Sequence, residues 1–430
     1  MMNNFIIKSN IIYSKTKDEL NCFKDSFVVC ENGISKGVFE KFDSIPEIYK
    51  NFKILDYSNF LLTPGLNDIH IHACQYAFIG LHMDLELLDW LQNYTFPEEA
   101  KYEDTNYAKK AYSIFISQIK KSSTTRFVSF ATMHLEASLI LCDLIEESKL
   151  KAYIGKVNMN RNAPANLCEE STKKSIEDTK EFIKKVEERK YKNVNAIITP
   201  RFIPSCTSDL LKALGEISKE YHLAIQSHLV ENPEEVSWVK ELEPKSRSYA
   251  DAYHMYNLFG ENERTIMAHC VFPTELDEEL LQNGNVWVAH APSSNSNIRS
   301  GIAPIRRFLN KNIKVGLATD VAGGSTLDMW DVIRESIQVS KLRFRYVDDT
   351  LKPLSANESF YLATKGGGSF FGKVGSFDEG YEFDALILDD FHTPSIHQDE
   401  LTLDQRLERY IYISSPENLV HKFVNGEMIF

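Results

Sequence analysis

Between residues 61 and 372 short apolar runs recur, each separated from the next by a stretch long enough for a helix. The runs lie at residues 66–72, 127–130, 152–157, 194–199, 223–228, 265–269, 286–290 and 315–320. Parallel strands need a crossover of about a dozen residues or more, so this alternation predicts a parallel sheet covered by helices. Eight such units predict an α/β fold closed into a (β/α)8 TIM-like barrel rather than an open sheet. Residues 172–190 and 208–221 read as crossover helices, the second opening on an N-cap-like Ser208. Barrels of this kind hold their chemistry at the C-terminal ends of the strands.

The two ends of the chain read differently from its middle. Residues 5–7, 11–13 and 27–29 are β-rich, and Asn32-Gly33 is a hairpin signal. Residues 385–388 and 422–424 repeat that character, and Asn425-Gly426 turns the chain into a last strand at 427–430. The expectation is a small β-domain assembled from residues 1–62 and 373–430 around a barrel at 63–372.

Composition narrows the partners. With 48 Lys+Arg against 61 Asp+Glu the net charge is −13, which argues against a nucleic-acid binder because phosphate neutralisation needs clustered cations. The 7 cysteines are scattered without a CxxC pair, which removes the Cys-ligated zinc deaminase signature and suits reduced thiols. Residues 1–8 lack the basic flank and apolar run of a secretory signal, and no stretch nears the ~20 apolar residues of a membrane span. A cytoplasmic protein without nucleic-acid or membrane partners is expected.

The strand ends carry His70, His72, Thr199-Pro200-Arg201, His228, His269, His290 and Asp320. Any one histidine could be a satisfied core residue, but so many on one rim would each need a separate buried partner. Along His70-Ile71-His72 the period of two sets both imidazoles on one side, with Asp68 beside them and Ile69 and Ile71 facing the helices. Imidazoles and a carboxylate converging on one rim suit a metal ion.

The run Pro64-Gly65-Leu66-Asn67-Asp68-Ile69-His70-Ile71-His72 resembles the opening motif of the amidohydrolase superfamily. The resemblance continues through His228, His269 and Thr319-Asp320 and spans nearly the whole chain. Ala73-Cys74-Gln75-Tyr76-Ala77-Phe78, Tyr94-Thr95-Phe96-Pro97-Glu98, Thr199-Pro200-Arg201-Phe202 and Gln226-Ser227-His228-Leu229-Val230-Glu231 are similar to the guanine deaminase family within it. That resemblance implies an amidohydrolase-type barrel with the split β-domain and one Zn²⁺ per subunit on His70, His72, His228 and Asp320. Fe²⁺ is the alternative metal. It also implies hydroxide at the metal as nucleophile, Glu231 as proton shuttle, and His269 with Asp320 contacting the reactive water. Gln75, Arg201, Phe202 and His228 would bind the substrate, with Tyr76 a further candidate for its ring face. The reaction implied is hydrolysis of guanine to xanthine and ammonia, in a homodimer.

Several residues have plainer readings. Glu234 and Glu235 suit an exposed helix start, and the run Asp277-Glu278-Glu279 a solvated helix face. Lys156 is the one candidate to bridge a second metal, against a role as a buried polar residue. His290 suits either packing or substrate contact. Gly366-Gly367-Gly368 lacks the Lys-Ser/Thr of a phosphate loop and reads as a close-packing site. Two other functions fit the chain: an aminohydrolase for another amino-substituted ring (8-oxoguanine, a pterin or a triazine), and a non-catalytic scaffold.

Overall fold

A computed structural model describes residues 4–430; the first three, part of the segment read as lacking a secretory signal, lie outside it. The barrel strands are β1 Leu66–His72, β2 Thr124–Phe130, β3 Lys151–Gly155, β4 Val194–Ala196, β5 Ile225–Leu229, β6 Thr265–His269, β7 Val286–His290 and β8 Lys314–Leu317. Register pairing makes β1–β4 one parallel sheet and β5–β8 another. Two seams join them. Ile198 N–H donates to Ala224 O (2.9 Å) and Gln226 N–H to Ile198 O (2.9 Å). On the other side Asp320 N–H donates to His70 O (3.0 Å) and His72 N–H to Val321 O (3.1 Å), so the ring closes.

One apolar cluster draws on every strand of that ring, holding Ile69, Val128, Tyr153, Ile197 (just past β4), Ala224 (just before β5), Ile266, Ala268, Trp287, Ala289 and Ala318 (just past β8), with Phe370. It is the barrel interior. Residues one position out of phase, such as Ile71, Met267, Val288 and Leu317, join the larger cluster under the helices. Ile69 therefore points inward, against the sequence expectation. The pairing explains it: Asp68 faces Phe127 but Ile71 faces Ser129, so β1 carries a bulge that resets its alternation before His70. Asp68 does not join the histidines either; its carboxylate accepts from Thr319 N–H (3.0 Å), Thr319 Oγ1 and His70 N–H (3.3 Å), tying β1 to the end of β8.

Helix Thr172–Arg189 covers the barrel as expected. Ser208–Tyr221 is also helical, but its cap is Thr207, whose side chain accepts from Leu210 N–H. The glycine triplet packs as read: a Cβ on Gly316 would lie 2.8 Å from Gly367 Cα, so β8 and the following segment can touch backbone to backbone.

Both chain ends meet in one seven-stranded sheet, ordered Glu427–Met428, Leu419–Val424, Ala385–Leu388, Lys53–Pro64, Phe5–Ser14, Leu20–Glu31 and Ile34–Phe39. Buried ion chemistry fastens it to the base of the barrel. Arg126 at the start of β2 pairs with Asp384 and Glu382, and Lys151 donates to Glu382 (2.6 Å). Lys422, fully buried, donates to the carbonyls of Ile119 (2.9 Å), Ser122 (2.7 Å) and Thr124 (2.9 Å). Among the described residues no disulfide joins the cysteines, and no helix is long and apolar enough to cross a membrane.

Candidate active site

The C-terminal mouth of the ring bends sharply. Val230 (φ 45°), His269 (φ 73°), Cys270 (φ 50°) and Asp320 (φ 48°) occupy the left-handed region, which costs a non-glycine residue roughly 1–3 kcal/mol. At His269 the bend has a clear effect. Its strand phase is that of Met267, which faces the helices, yet its ring stands 5.6 Å from His70 and 5.4 Å from His228. The turned backbone swings the imidazole back over the barrel.

His70, His72, His228 and Asp320 converge beside it. His70 Nε2 lies 3.1 Å from Asp320 Oδ1, His72 Nε2 3.5 Å from the same oxygen, and His72 Nε2 3.1 Å from His228 Nε2. Phe130 supports all three rings at 4.6–5.1 Å. His228 Nδ1 lies 2.6 Å from the carbonyl of Arg201, which can only accept, so its proton is on Nδ1 and Nε2 presents a lone pair. Burial, then the neighbouring imidazoles, hold His228 well below the ordinary histidine pKa; burial and His70 do the same for His72. Burial alone would raise Asp320, but His70, His269 and His72 outweigh it and keep the group a carboxylate. Neutral nitrogens and an anionic oxygen crowd together here, and Nδ1 of His70 is buried without a hydrogen-bond partner. Groups His70–His72–Asp320 and His70–His228–His269 each offer ligand atoms within 4.8 Å of one another, a donor set that fits a divalent cation of the zinc type.

His72, His228, His269 and Asp320 line a cavity of about 400 Å³, counting the space that opens to solvent, together with Gln75, Leu87, Trp90, Arg201, Phe202 and Glu231. Glu231, just past β5, is buried, with Oε2 3.4 Å from His269 Nε2. Burial, the nearby Glu235 and Asp320 push its carboxyl well above the ordinary range. His269 Nδ1 is 2.9 Å from Asn295 Oδ1, which fixes the ring, and burial brings its pKa down to about 4.

Arg201 and Gln75 meet at Glu99. Arg201 Nη1 donates to Glu99 Oε2 (2.6 Å) and Nη2 to Oε1 (3.1 Å), while Gln75 Nε2 donates to Oε1 (2.8 Å). Gln75 Oε1 accepts from Ala322 N–H (3.1 Å), and the Arg201 guanidinium lies 5.1 Å from the Phe96 ring centroid. With two of its five N–H groups on Glu99, the guanidinium keeps three for a ligand.

Some expectations fail. His290 leaves the rim: it shares the outward phase of Val286 and Val288 and lines a separate cavity under the helices. Tyr76, half-buried, packs on Phe115 (5.8 Å) and lines another cavity, so it faces no ring in this site. Glu234 is exposed as expected, but Glu235 is buried, accepting from Glu231 N–H (3.0 Å) and Tyr249 Oη (2.6 Å). Asp277 and Glu278 are likewise buried, Glu278 by pairing with Arg307 and Lys311. Lys156 pairs with Glu169 inside the fold and stands outside both candidate ligand groups. Sequence reading missed Glu99 and Asn295. For Glu99 the available signal was its adjacency to the Phe96-Pro97-Glu98 motif; Asn295 carried none.

Comparison with known proteins agrees with this geometry. The model of the amidohydrolase family matches residues 61–429. A guanine deaminase of Dictyostelium discoideum is 35% identical over 99% of this chain and 98% of its own. One from Escherichia coli (strain K12) is 31% identical over 96% of this chain and 92% of its own. The crystal structure of a guanine deaminase from C. acetobutylicum, with guanine bound in its active site, superposes with a TM-score of 0.95 at 43% identity, covering 100% of both chains. The family match takes in every barrel strand together with all the residues of the buried His/Asp group, and the chain belongs to the amidohydrolase family.

Proposed function

We propose that this protein hydrolyses guanine to xanthine and ammonia, using one Zn²⁺ held by His70, His72, His228 and Asp320, with Fe²⁺ the alternative metal. The observation that carries the reading is the fixed Glu99–Arg201–Gln75 group facing the His/Asp group across one cavity. Guanine offers an exocyclic oxygen and ring-edge donors and acceptors, and a guanidinium fork beside a primary amide complements that edge. The guanine bound in the active site of the C. acetobutylicum relative supports guanine as the substrate. Bound zinc would lower the pKa of a water from 15.7 to about 7, making hydroxide available at neutral pH.

The protein's own groups do the rest. Arg201 donates to the exocyclic oxygen, and Gln75 uses its remaining N–H and lone pair on the ring edge. Phe202 and Trp90 exclude water from the ring faces. Glu231 accepts the proton of the attacking water and passes it to a ring nitrogen; a second transfer protonates the departing amine as the C–N bond breaks and the new carbonyl forms. Its raised pKa suits a group that must hold a proton and release it near neutral pH. His269, fixed by Asn295 and neutral, borders the water, from which Asp320 accepts a hydrogen bond. The proposal includes a cytoplasmic homodimer whose residues 1–62 and 373–430 complete a small β-domain around a barrel at 63–372.

Ammonia release from guanine, 8-oxoguanine, adenine and cytosine, measured beside bound zinc, tests the proposal. Guanine should lead clearly, because adenine and cytosine lack a suitably placed carbonyl for Arg201. Full zinc loading without guanine turnover would end the proposal.

A further inference from the structure

We propose that the cavity on the outer face of β7 binds a small oxyanion, a phosphate or the phosphate group of a monoester. The cavity, of about 370 Å³ counting the space that opens to solvent, lies between β7 and the helices Ile305–Asn310 and Met329–Tyr346. It shares no lining residue with the active-site cavity.

Three donor groups on its wall lack partners. His290 is 1% exposed, and neither ring nitrogen has a hydrogen bond. The Nε atoms of Arg307 and Arg343 are buried and equally unpartnered. A buried N–H without an acceptor costs about 1–3 kcal/mol, so three around one cavity call for a shared acceptor. Charge points the same way. Arg306 is neutralised by Glu358, with Nη1 and Nη2 both at 2.6 Å. Arg307 and Lys311 share the single carboxylate of Glu278, leaving one positive charge over. Arg343 donates to the Ile302 carbonyl and forms no ion pair among the described residues, leaving a second. At the rim Asp348, whose Oδ1 accepts from Thr350 N–H (3.0 Å) and Thr350 Oγ1 (2.5 Å), faces Arg343 and Arg307, and Lys352 adds a further positive charge to the lining. Arg307, Lys311, Arg343 and Lys352 against Glu278 and Asp348 leave a net excess of two positive charges, which with the imidazole of His290 beside one cavity match a dianionic phosphate. Arginine, with its planar fork, is the side chain suited to that ligand.

Calorimetric titration of inorganic phosphate into the full-length, zinc-loaded protein tests this, with sodium chloride at equal ionic strength as the control. Binding above the chloride control is expected, weakened at least tenfold in Arg343→Gln and in Arg307→Gln, both at partly exposed positions. His290→Leu should weaken it as well, while Arg343→Lys, which keeps the charge but not the Nε donor or the fork, should recover only part of the loss. Ribose 5-phosphate distinguishes the sources: equal affinity assigns a free anion, tighter binding an esterified one. No heat above the chloride control, or binding unchanged in both arginine-to-glutamine variants, overturns the proposal, because the latter would come from another site such as the zinc.

Discussion

Replacing Glu99 by glutamine exchanges a carboxylate for an amide of the same shape at the point where Arg201 and Gln75 meet. Glu99 and Arg201 have side chains only 3% and 4% exposed, so water cannot take over the lost charge. Breaking a buried pair by removing one partner costs about 3–5 kcal/mol, because the other charge is left uncompensated. Unfolding entropy of about 2.1 cal/mol/K per residue over 430 residues comes to roughly 0.9 kcal/mol/K, so Tm should fall by about 3–6 °C. Activity should fall further than stability implies. The amide can no longer accept from both Arg201 nitrogens and from Gln75, and a displacement of about 1 Å in a positioning group costs on the order of 100-fold in rate. We expect kcat/KM for guanine to drop about 100-fold or more with zinc content unchanged, since no metal-binding candidate touches Glu99. Glu99→Asp, which keeps the charge on a shorter arm, should recover part of the loss. The assays are steady-state kinetics, calorimetric melting and metal analysis. Activity within about threefold of the parent in Glu99→Gln, or loss of zinc, would rule out Glu99 as the anchor of Arg201 and Gln75.

Glu231→Gln should retain its metal and lose about 10²–10⁴-fold in kcat, the usual worth of a positioned proton-transfer group; retained turnover would remove Glu231 from that role. Lys422→Met leaves three buried carbonyls without their donor. It should lower denaturant stability by about 2–4 kcal/mol at unchanged guanine turnover, the orphaned acceptors outweighing the relief of a buried charge. Burial and Asp331 raise Glu335 from 4.5 to about 7. Its penalty is therefore absent below pH 4.5, grows as pH rises towards 7 and is constant above. Glu335→Gln should accordingly stabilise the protein by about 1–2 kcal/mol more at pH 8 than at pH 5; a difference of the opposite sign in urea melts would contradict that environment.

The barrel was legible because each strand is an apolar run that stops on a polar residue, a pattern that survives without knowledge of the fold. His228 and Asp320 could be found for the same reason: both keep the inward phase of Ala224 and Ala318. Phase also marks His290 as outward, since Val286 and Val288 share its side, and treating every strand-end histidine as one rim overlooked that. The opposite case is His269, where phase alone points the wrong way and only the left-handed backbone corrects it. The bulge in β1 leaves no mark on composition, so the directions of Ile69 and Asp68 were out of reach. Glu235 was within reach, because Asn232 and Glu235 form a capping box whose spacing can be read from the sequence. Glu99 offered only its adjacency to the Phe96-Pro97-Glu98 motif: it is 24 residues from Gln75 and 102 from Arg201, and only the folded chain unites them.

A single metal ion on His70, His72, His228 and Asp320 is what we propose makes this cavity a guanine hydrolase. Stripping the protein with a chelator and titrating Zn²⁺ back while following ammonia release from guanine tests it directly. The stripped protein should show negligible turnover, with activity rising linearly to saturation at one Zn²⁺ per chain. Turnover without metal, or saturation only at two ions per chain, would contradict it.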